Sequence, residues 1–151
     1  MGLLVVRLGD IYLLNVYANL DFKTVDSTLL GIIATYIGVL RRRMDADQII
    51  IAGDFNMDRR IDNNPTGSFF PAQGTYPTNS FFDAILDMRF SNCMRKFNDE
   101  PICTHRNNKS EYPWEIDHMF ATDGLYQRLA SIDVISAEGL SDHHPIVANF
   151  D

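Results

Sequence analysis

Four consecutive apolar residues at positions 49–52 constrain the fold of this chain more than any other stretch. Three of them are isoleucines, and a run this apolar and β-branched is typical of a strand that is buried on both faces. Gly53 follows the run and allows a sharp exit from the strand. We therefore predict that Asp54 and Asn56 lie at the carboxyl edge of this strand, and we take that edge as the first candidate site.

The composition is that of one soluble, globular domain. The chain has 151 residues, of which 46% are hydrophobic and 22% charged, and we assign residues 1–151 to a single domain. The net charge of −7 argues against a surface that holds nucleic acid through many Lys and Arg contacts. A phosphate substrate would then have to be bound locally. Carboxylates that hold a divalent cation would do this, because the ion inverts the local sign of the electric field.

Targeting signals and cysteines give little further information. The apolar run before Arg7 is too short for a signal peptide, and no stretch approaches the about 18 apolar residues of a membrane helix. We expect an intracellular protein without a membrane span, although a secreted chain that has lost its signal would look the same. Cys93 and Cys103 lack a metal-type spacing, so we favour free thiols, and a disulfide between them stays open.

The apolar periodicity divides the chain into strands with helices between them. Residues 3–8 and 11–17 are β-rich runs joined by Gly9-Asp10, which favours a hairpin. A three-to-four periodicity over 26–44, with arginines in the last turn, predicts an amphipathic helix. The other predicted elements are a short helix at 81–88, loops at 57–73 and 106–113, and strands at 102–105, 116–122, 132–136 and 146–150. This order predicts a layered α/β or α+β sandwich.

Acidic, amide and imidazole side chains follow three of the predicted strand ends. They occur in Gly-Asp-Phe-Asn at 53–56, Glu-Ile-Asp-His at 115–118 and Ser-Asp-His-His-Pro at 141–145. Each stretch alone could be an ordinary turn. Together they indicate a site for a hard cation with a base beside it, because oxygen ligands suit Mg²⁺ or Mn²⁺ and a free imidazole suits proton transfer near neutral pH. Zinc is less favoured, because the histidines lack a helical HxxxH spacing.

These three blocks, in this order, resemble the endonuclease/exonuclease/phosphatase superfamily, which includes exonuclease III-like, abasic-site endonuclease-like and deoxyribonuclease-like enzymes. The matching blocks are G-D-F-N, I-D-H and S-D-H-x-P. The resemblance implies a partial four-layered α/β sandwich that corresponds to the carboxyl-terminal part of the family fold and lacks its first strands. It also implies Mg²⁺- or Mn²⁺-dependent hydrolysis of a phosphodiester, most simply as a nuclease acting on nucleic acid.

The resemblance also implies roles for the matching residues. Asp54 corresponds to the carboxylate that positions or deprotonates the attacking water, and Asn56 to the amide that binds a phosphate oxygen. Asp142 corresponds to a metal ligand, and His143 to the catalytic imidazole at the scissile phosphate. Asp117 corresponds to the carboxylate that orients that imidazole.

Two further side chains, Tyr17 and His118, have more than one possible role. Tyr17 lies where the family strand ends in a His or Tyr at the phosphate, so it is either a substrate contact or a core aromatic. His118 lies where the family has His or Tyr, and we read it as a packing residue.

The function of the chain also has alternatives. The substrate could also be an inositol phosphate or a lipid headgroup, and a catalytically incomplete binding module is the remaining alternative.

The metal-binding Glu of the family has no counterpart in this sequence, and the resemblance therefore implies weakened or lost activity. The apolar strands at 3–8 and 11–17 are also short of partners. We therefore expect either a homodimer or a missing amino-terminal segment that covers the exposed sheet.

Overall fold

The computed structural model describes residues 2–18, 25–44, 46–60, 78–106 and 113–151. Within these ranges, seven strands and three α-helices form a mixed α/β fold, and a 3₁₀ turn lies at Cys93–Arg95. In chain order the elements are β1 (Gly2–Leu8), β2 (Ile11–Tyr17), α1 (Val25–Arg43), β3 (Ile49–Asp54), α2 (Thr78–Asp87), β4 (Phe90–Asn92), β5 (Asp117–Thr122), α3 (Asp123–Arg128), β6 (Leu129–Val134) and β7 (Ile146–Phe150).

The main sheet has five strands in the order β1-β2-β3-β5-β4, and β6 pairs with β7 in a second sheet. Strand β3 lies at the centre, parallel to β2 and antiparallel to β5. The β1–β2 hairpin turns at Gly9, whose φ of 62° suits a glycine, as the sequence predicts. Ile49, Ile50 and Ile51 are buried, so the central strand is covered on both faces.

Each face of the main sheet has its own core. On one face, alternate residues of β2, β3 and β5, such as Leu14, Ile51 and Phe120, pack in a cluster with the apolar residues of α1 and α2. On the other face, Ile50 and Ala121 pack in a cluster with residues of β6 and β7. The result is a helix–sheet–sheet arrangement, which confirms the predicted α/β class as part of a four-layered sandwich.

Several element predictions need correction. The strand predicted at 132–136 lies at Leu129–Val134, because pairing with β7 ends where Val134 meets Ile146. The strand predicted at 102–105 is an isolated bridge at His105, whose backbone bonds to two separate loops instead of one neighbouring strand. The sequence analysis missed α3 and β4, which have only six and three residues. The predicted loops at 57–73 and 106–113 lie mostly outside the described residues.

The remaining global predictions have mixed outcomes. Cys93 is buried, Cys103 is partly buried, and both thiols are free. Burial raises the pKa of Cys93 to about 12. No helix in the described ranges is long and apolar enough to cross a membrane. Strand β1 forms one edge of the main sheet, and its residues Leu4 and Leu8 are about 60% exposed. Coverage of this edge by a second copy or another segment stays a prediction.

Candidate active site

The corner after β3 has the geometry that its sequence predicts. Gly53 has a φ of 134°, and a Cβ built there would lie 2.1 Å from the carbonyl oxygen of Val16. No other residue type fits such a close approach of β2 to β3. Asp54 is the last residue of the strand, and its carboxylate accepts hydrogen bonds from the backbone N–H of Asn56 at 2.8 Å and from its side-chain amide at 3.0 Å.

Asn56 is held in place by the residues around it. Its φ of 52° lies in the left-handed region, which Asn adopts more readily than most residues. Its amide also donates to the carbonyl oxygen of Ala18 at 2.6 Å. In this structure Asn56 therefore orients the carboxylate of Asp54, and a contact with substrate would use the polar atoms that these bonds leave available.

Strand register brings Asp54 beside two other predicted site residues. It pairs with Asp117, the first residue of β5, and with Tyr17, the last residue of β2. Successive side chains of a strand point to opposite faces of the sheet, and Leu14, Val16 and Ile51 face the helices. Tyr17, Asp54 and Asp117 therefore lie on the other face, toward the second sheet. Tyr17 is 55% exposed, so it is not a core aromatic.

His143 reaches the same place from the loop before β7. Its Nδ1 lies 3.0 Å from Oδ2 and 3.2 Å from Oδ1 of Asp117. Because an ionised carboxylate only accepts hydrogen bonds, the ring proton lies on Nδ1, and this N–H donates a hydrogen bond to Asp117. The predicted pairing of Asp117 with His143 is therefore present, although the two residues are 26 positions apart.

Asp54 lies close enough to Asp117, His143 and His105 for their charges to act on its pKa. Its pKa is raised from the ordinary aspartate value, first by burial and also by repulsion from Asp117. The backbone hydrogen bond from Asn56 and the imidazoles of His143 and His105 act in the opposite direction. A carboxylate held in this way is more basic than an exposed one, which suits proton transfer from water.

His105 belongs to this group of residues, and the sequence analysis did not identify it. Its Nε2 lies 3.5 Å from Oδ2 of Asp142, and the centre of its ring lies 4.7 Å from that of His143. Ligand atoms of these three residues lie within 4.8 Å of one another, a spacing that could hold a metal ion. The sequence signal was the one histidine outside the three blocks, in Thr104-His105, a segment that the sequence predicts as a strand.

Thr104 fixes this segment to β5. It is fully buried, and its hydroxyl accepts hydrogen bonds from the backbone N–H groups of Ile116 at 3.1 Å and Asp117 at 3.0 Å. Its carbonyl oxygen accepts a hydrogen bond from the N–H of His144 at 2.7 Å. Thr104 thus connects the start of β5 to the loop that carries His143.

His118 lies on the opposite face of β5 from Asp117 and is buried against Phe55, Phe82 and Phe120. Its Nε2–H donates to the carbonyl oxygen of Met57 at 2.7 Å. Burial lowers its pKa, which keeps the imidazole neutral. These contacts fit the packing role that we predicted for it.

A cleft with a volume of about 390 Å³ opens beside the pair of Asp117 and His143. Gly53 and the exposed Asn15 line its floor from the main sheet, and Ser141 lines it from the loop before β7. The cleft therefore lies between the two sheets. It provides space for a substrate group next to the imidazole.

Three solved structures share this architecture. They are a 3′ phosphatase, NExo, from Neisseria bound to product DNA hairpin (TM-score 0.73, 16% identity), the 3′-5′ exonuclease NExo from Neisseria meningitidis (0.76, 17%) and an AP endonuclease from Archaeoglobus fulgidus (0.69, 20%). The chain has the endonuclease/exonuclease/phosphatase fold. Each comparison covers 99% of this chain but only 64–65% of the other, so this chain spans less than two thirds of their length. No protein-family model and no curated protein matches the sequence.

Proposed function

We propose that this chain hydrolyses phosphodiester bonds with the help of a divalent cation, and that its substrate is nucleic acid. The observation that carries the proposal is the register of β3 and β5, which sets Asp54 directly opposite Asp117, the carboxylate bonded to His143. A base, an oriented imidazole and an adjacent cleft are the parts that in-line attack of water on phosphorus requires. The three solved structures, which bind or are named for acting on nucleic acid, support this choice of substrate.

In the proposed mechanism, Asp54 accepts a proton from the attacking water. Its raised pKa makes it a stronger base than an ordinary aspartate, and the bonds from Asn56 hold it in one orientation. His143 donates Nδ1–H to Asp117. In the doubly protonated ring, Nε2–H would donate a hydrogen bond to an oxygen of the scissile phosphate. Tyr17, exposed at the end of β2, contributes a second contact to the phosphate.

The donor set fits a hard divalent cation, Mg²⁺ or Mn²⁺. Asp54 and Asp117 repel each other at the sheet edge, and a cation would relieve this repulsion. Asp142, whose carboxylate is 58% exposed, is the residue we propose as its ligand. When bound, the cation would neutralise charge that develops on the phosphate oxygens.

The test is cleavage by the purified chain of plasmid DNA, a 3′-phosphorylated DNA hairpin and a small aryl phosphodiester in the presence of Mg²⁺ or Mn²⁺. We expect turnover that chelation abolishes and that Asp54→Asn and His143→Ala each reduce by about 10²- to 10⁴-fold. Asp133→Asn, an exposed change on β6, is the matched control and should retain full activity.

The alternatives give different results in the same experiment. Activity on a phosphoinositide or an inositol phosphate, but not on DNA, would replace the nuclease assignment with a headgroup hydrolase. DNA binding without cleavage under any metal condition would indicate a catalytically incomplete binding module. Cleavage that survives both substitutions would reject the site itself.

A further inference from the structure

The segment around His105 lies between the two halves of the site and bonds to both. On one side, the N–H of His105 donates to the carbonyl oxygen of Trp114 at 3.0 Å, and the N–H of Trp114 donates back at 3.1 Å. On the other side, the N–H of Arg106 donates to the carbonyl oxygen of Asp142 at 2.8 Å. His105 therefore connects the residues just before β5 to the loop that carries Asp142 and His143. It forms one isolated β-bridge with Trp114 and another with His143.

The side chain of His105 extends this bridge into the site. Its ring packs against that of His143 with 4.7 Å between centres and an interplanar angle of 59°. Its Nε2 contacts the carboxylate of Asp142 at 3.5 Å, while the buried Nδ1 has no hydrogen-bond partner among the described residues. The ring is nearly buried, so it cannot leave this position without opening a gap beside His143.

His143 needs such a support because Asp117 fixes only one of its atoms. The contact of Nδ1 with the two oxygens of Asp117 sets the distance to β5 but leaves the imidazole free to tilt about Nδ1. The His105 ring, packed against the His143 ring at 4.7 Å, limits this freedom. The contact with Asp142 restrains the neighbouring carboxylate, which is otherwise exposed.

We propose that His105 is a positioning residue that holds the His143 ring and the Asp142 carboxylate in their working orientation. It acts through these two side chains and does not itself touch the reacting atoms. The proposal rests on the proposed function, because it assigns His105 a part in the same site. Its physical basis is the ring contact and the two backbone bridges.

The kinetic test compares His105→Ala, His105→Phe and the wild type on the DNA substrate that the wild type cleaves. Loss of the support should lower kcat by about 10- to 100-fold for His105→Ala with KM within about twofold, as for other residues that orient a catalytic group. His105→Phe keeps a ring against His143 and should recover part of kcat. A rise in KM with unchanged kcat would overturn the proposal, because it would make His105 a substrate contact.

A second measurement does not depend on turnover. Proton–nitrogen correlation spectra of the imidazoles should show a single His143 state, with the proton on Nδ1, in the wild type and in His105→Phe. In His105→Ala the His143 signals should broaden or shift toward tautomer-averaged values. Unchanged His143 signals in a folded His105→Ala protein would reject the positioning role.

The two readouts separate this proposal from the proposed function. If the wild type cleaves nothing but His105→Ala still disorders His143, the positioning role stands and the hydrolytic function fails. If the wild type is active and His105→Ala matches it in both kcat and spectrum, the positioning role fails alone. Circular dichroism of each variant, with Asp133→Asn as control, confirms that the comparison is between folded proteins.

Discussion

Oδ2 of Asp117 lies 3.0 Å from Nδ1 of His143, and this contact joins the first residue of β5 to the loop before β7. The carboxylate selects the Nδ1–H tautomer and stabilises positive charge on the ring when Nε2 accepts a proton. An amide in place of the carboxylate would lose that charge and could present N–H instead of an oxygen to the imidazole.

Asp117→Asn should therefore lower kcat on the DNA substrate by about 10²- to 10⁴-fold and leave substrate binding nearly unchanged. Steady-state kinetics and a filter-binding measurement separate the two effects. Asp123→Asn, an exposed change in the first turn of α3, is the control. Loss of binding at unchanged kcat would show that the Asp117–His143 pair serves recognition instead.

Asp54 should make stability depend on pH. Because its folded-state pKa is raised, the native chain holds a proton at pH values where the unfolded chain has already lost it. Stability therefore falls as pH rises from the ordinary aspartate pKa through the raised one. In chelator near pH 7, Asp54→Asn should therefore raise Tm, because it removes a charge that burial and Asp117 disfavour.

Thermal melts of wild type and Asp54→Asn between about pH 4 and pH 7.5 test this prediction, with and without Mn²⁺. The wild type should gain stability from the cation, because the cation offsets the repulsion between Asp54 and Asp117, and Asp54→Asn should gain less. A lower Tm for Asp54→Asn in chelator would contradict the prediction. Asp133→Asn, an exposed change on β6, should leave the pH dependence as it is.

Gly53→Ala should damage the fold and the site together. The added Cβ would lie 2.1 Å from the carbonyl oxygen of Val16, at a φ of 134° that L side chains rarely adopt. We expect a loss of at least about 1–3 kcal/mol in the free energy of unfolding, measured in urea. Gly31→Ala is the matched control, because a Cβ there meets nothing within 4 Å and should stabilise α1 by up to about 1 kcal/mol. Equal effects at both glycines would contradict the clash.

Arg95 should matter for stability because it pairs with a buried acid. Glu115 is 6% exposed and accepts hydrogen bonds from the Arg95 guanidinium and from the N–H of Ile102. Arg95→Met would remove the cationic partner of that buried carboxylate, at a cost of about 3 kcal/mol in urea unfolding. The double variant Arg95→Met/Glu115→Gln should recover part of the loss.

The exposed pair of Arg59 and Asp83 provides the comparison for Arg95. Its members lie 3.1 Å apart, with 40% of the Arg59 side chain and 64% of the Asp83 side chain exposed, so Asp83→Asn should cost less than about 1 kcal/mol. If Arg95→Met costs no more than Asp83→Asn, the buried pair does not stabilise the chain in the way we describe.

The sequence predicted best those features of the fold and the site that are formed by residues adjacent in the chain. The isoleucine run, Gly53 and Asp54 are consecutive, so periodicity and one glycine were enough to place the carboxylate at the end of β3. The same holds for the β1–β2 hairpin, whose turn residues adjoin its strands. These features follow from neighbouring residues, which a single sequence displays directly.

His105 could not be found in this way, because its role depends on a partner 38 positions along the chain. Its segment has the apolar and β-branched residues of a strand, and only the fold shows that its backbone bonds divide between Trp114 and the loop before β7. Short α3 was missed for a related reason: six residues carry too little periodicity to identify a helix.

Under the proposed function, the register of β3 and β5 ties activity to correct folding. Successive residues of β5 point to opposite faces, so a slip of one position would move the imidazole of His118 out of its aromatic cage and Asp117 into it. Both changes are costly, and the displacement of Asp117 would also remove its carboxylate from His143. Variants of the core that keep activity must therefore have kept this register, and an activity screen would select for foldedness without measuring stability at all.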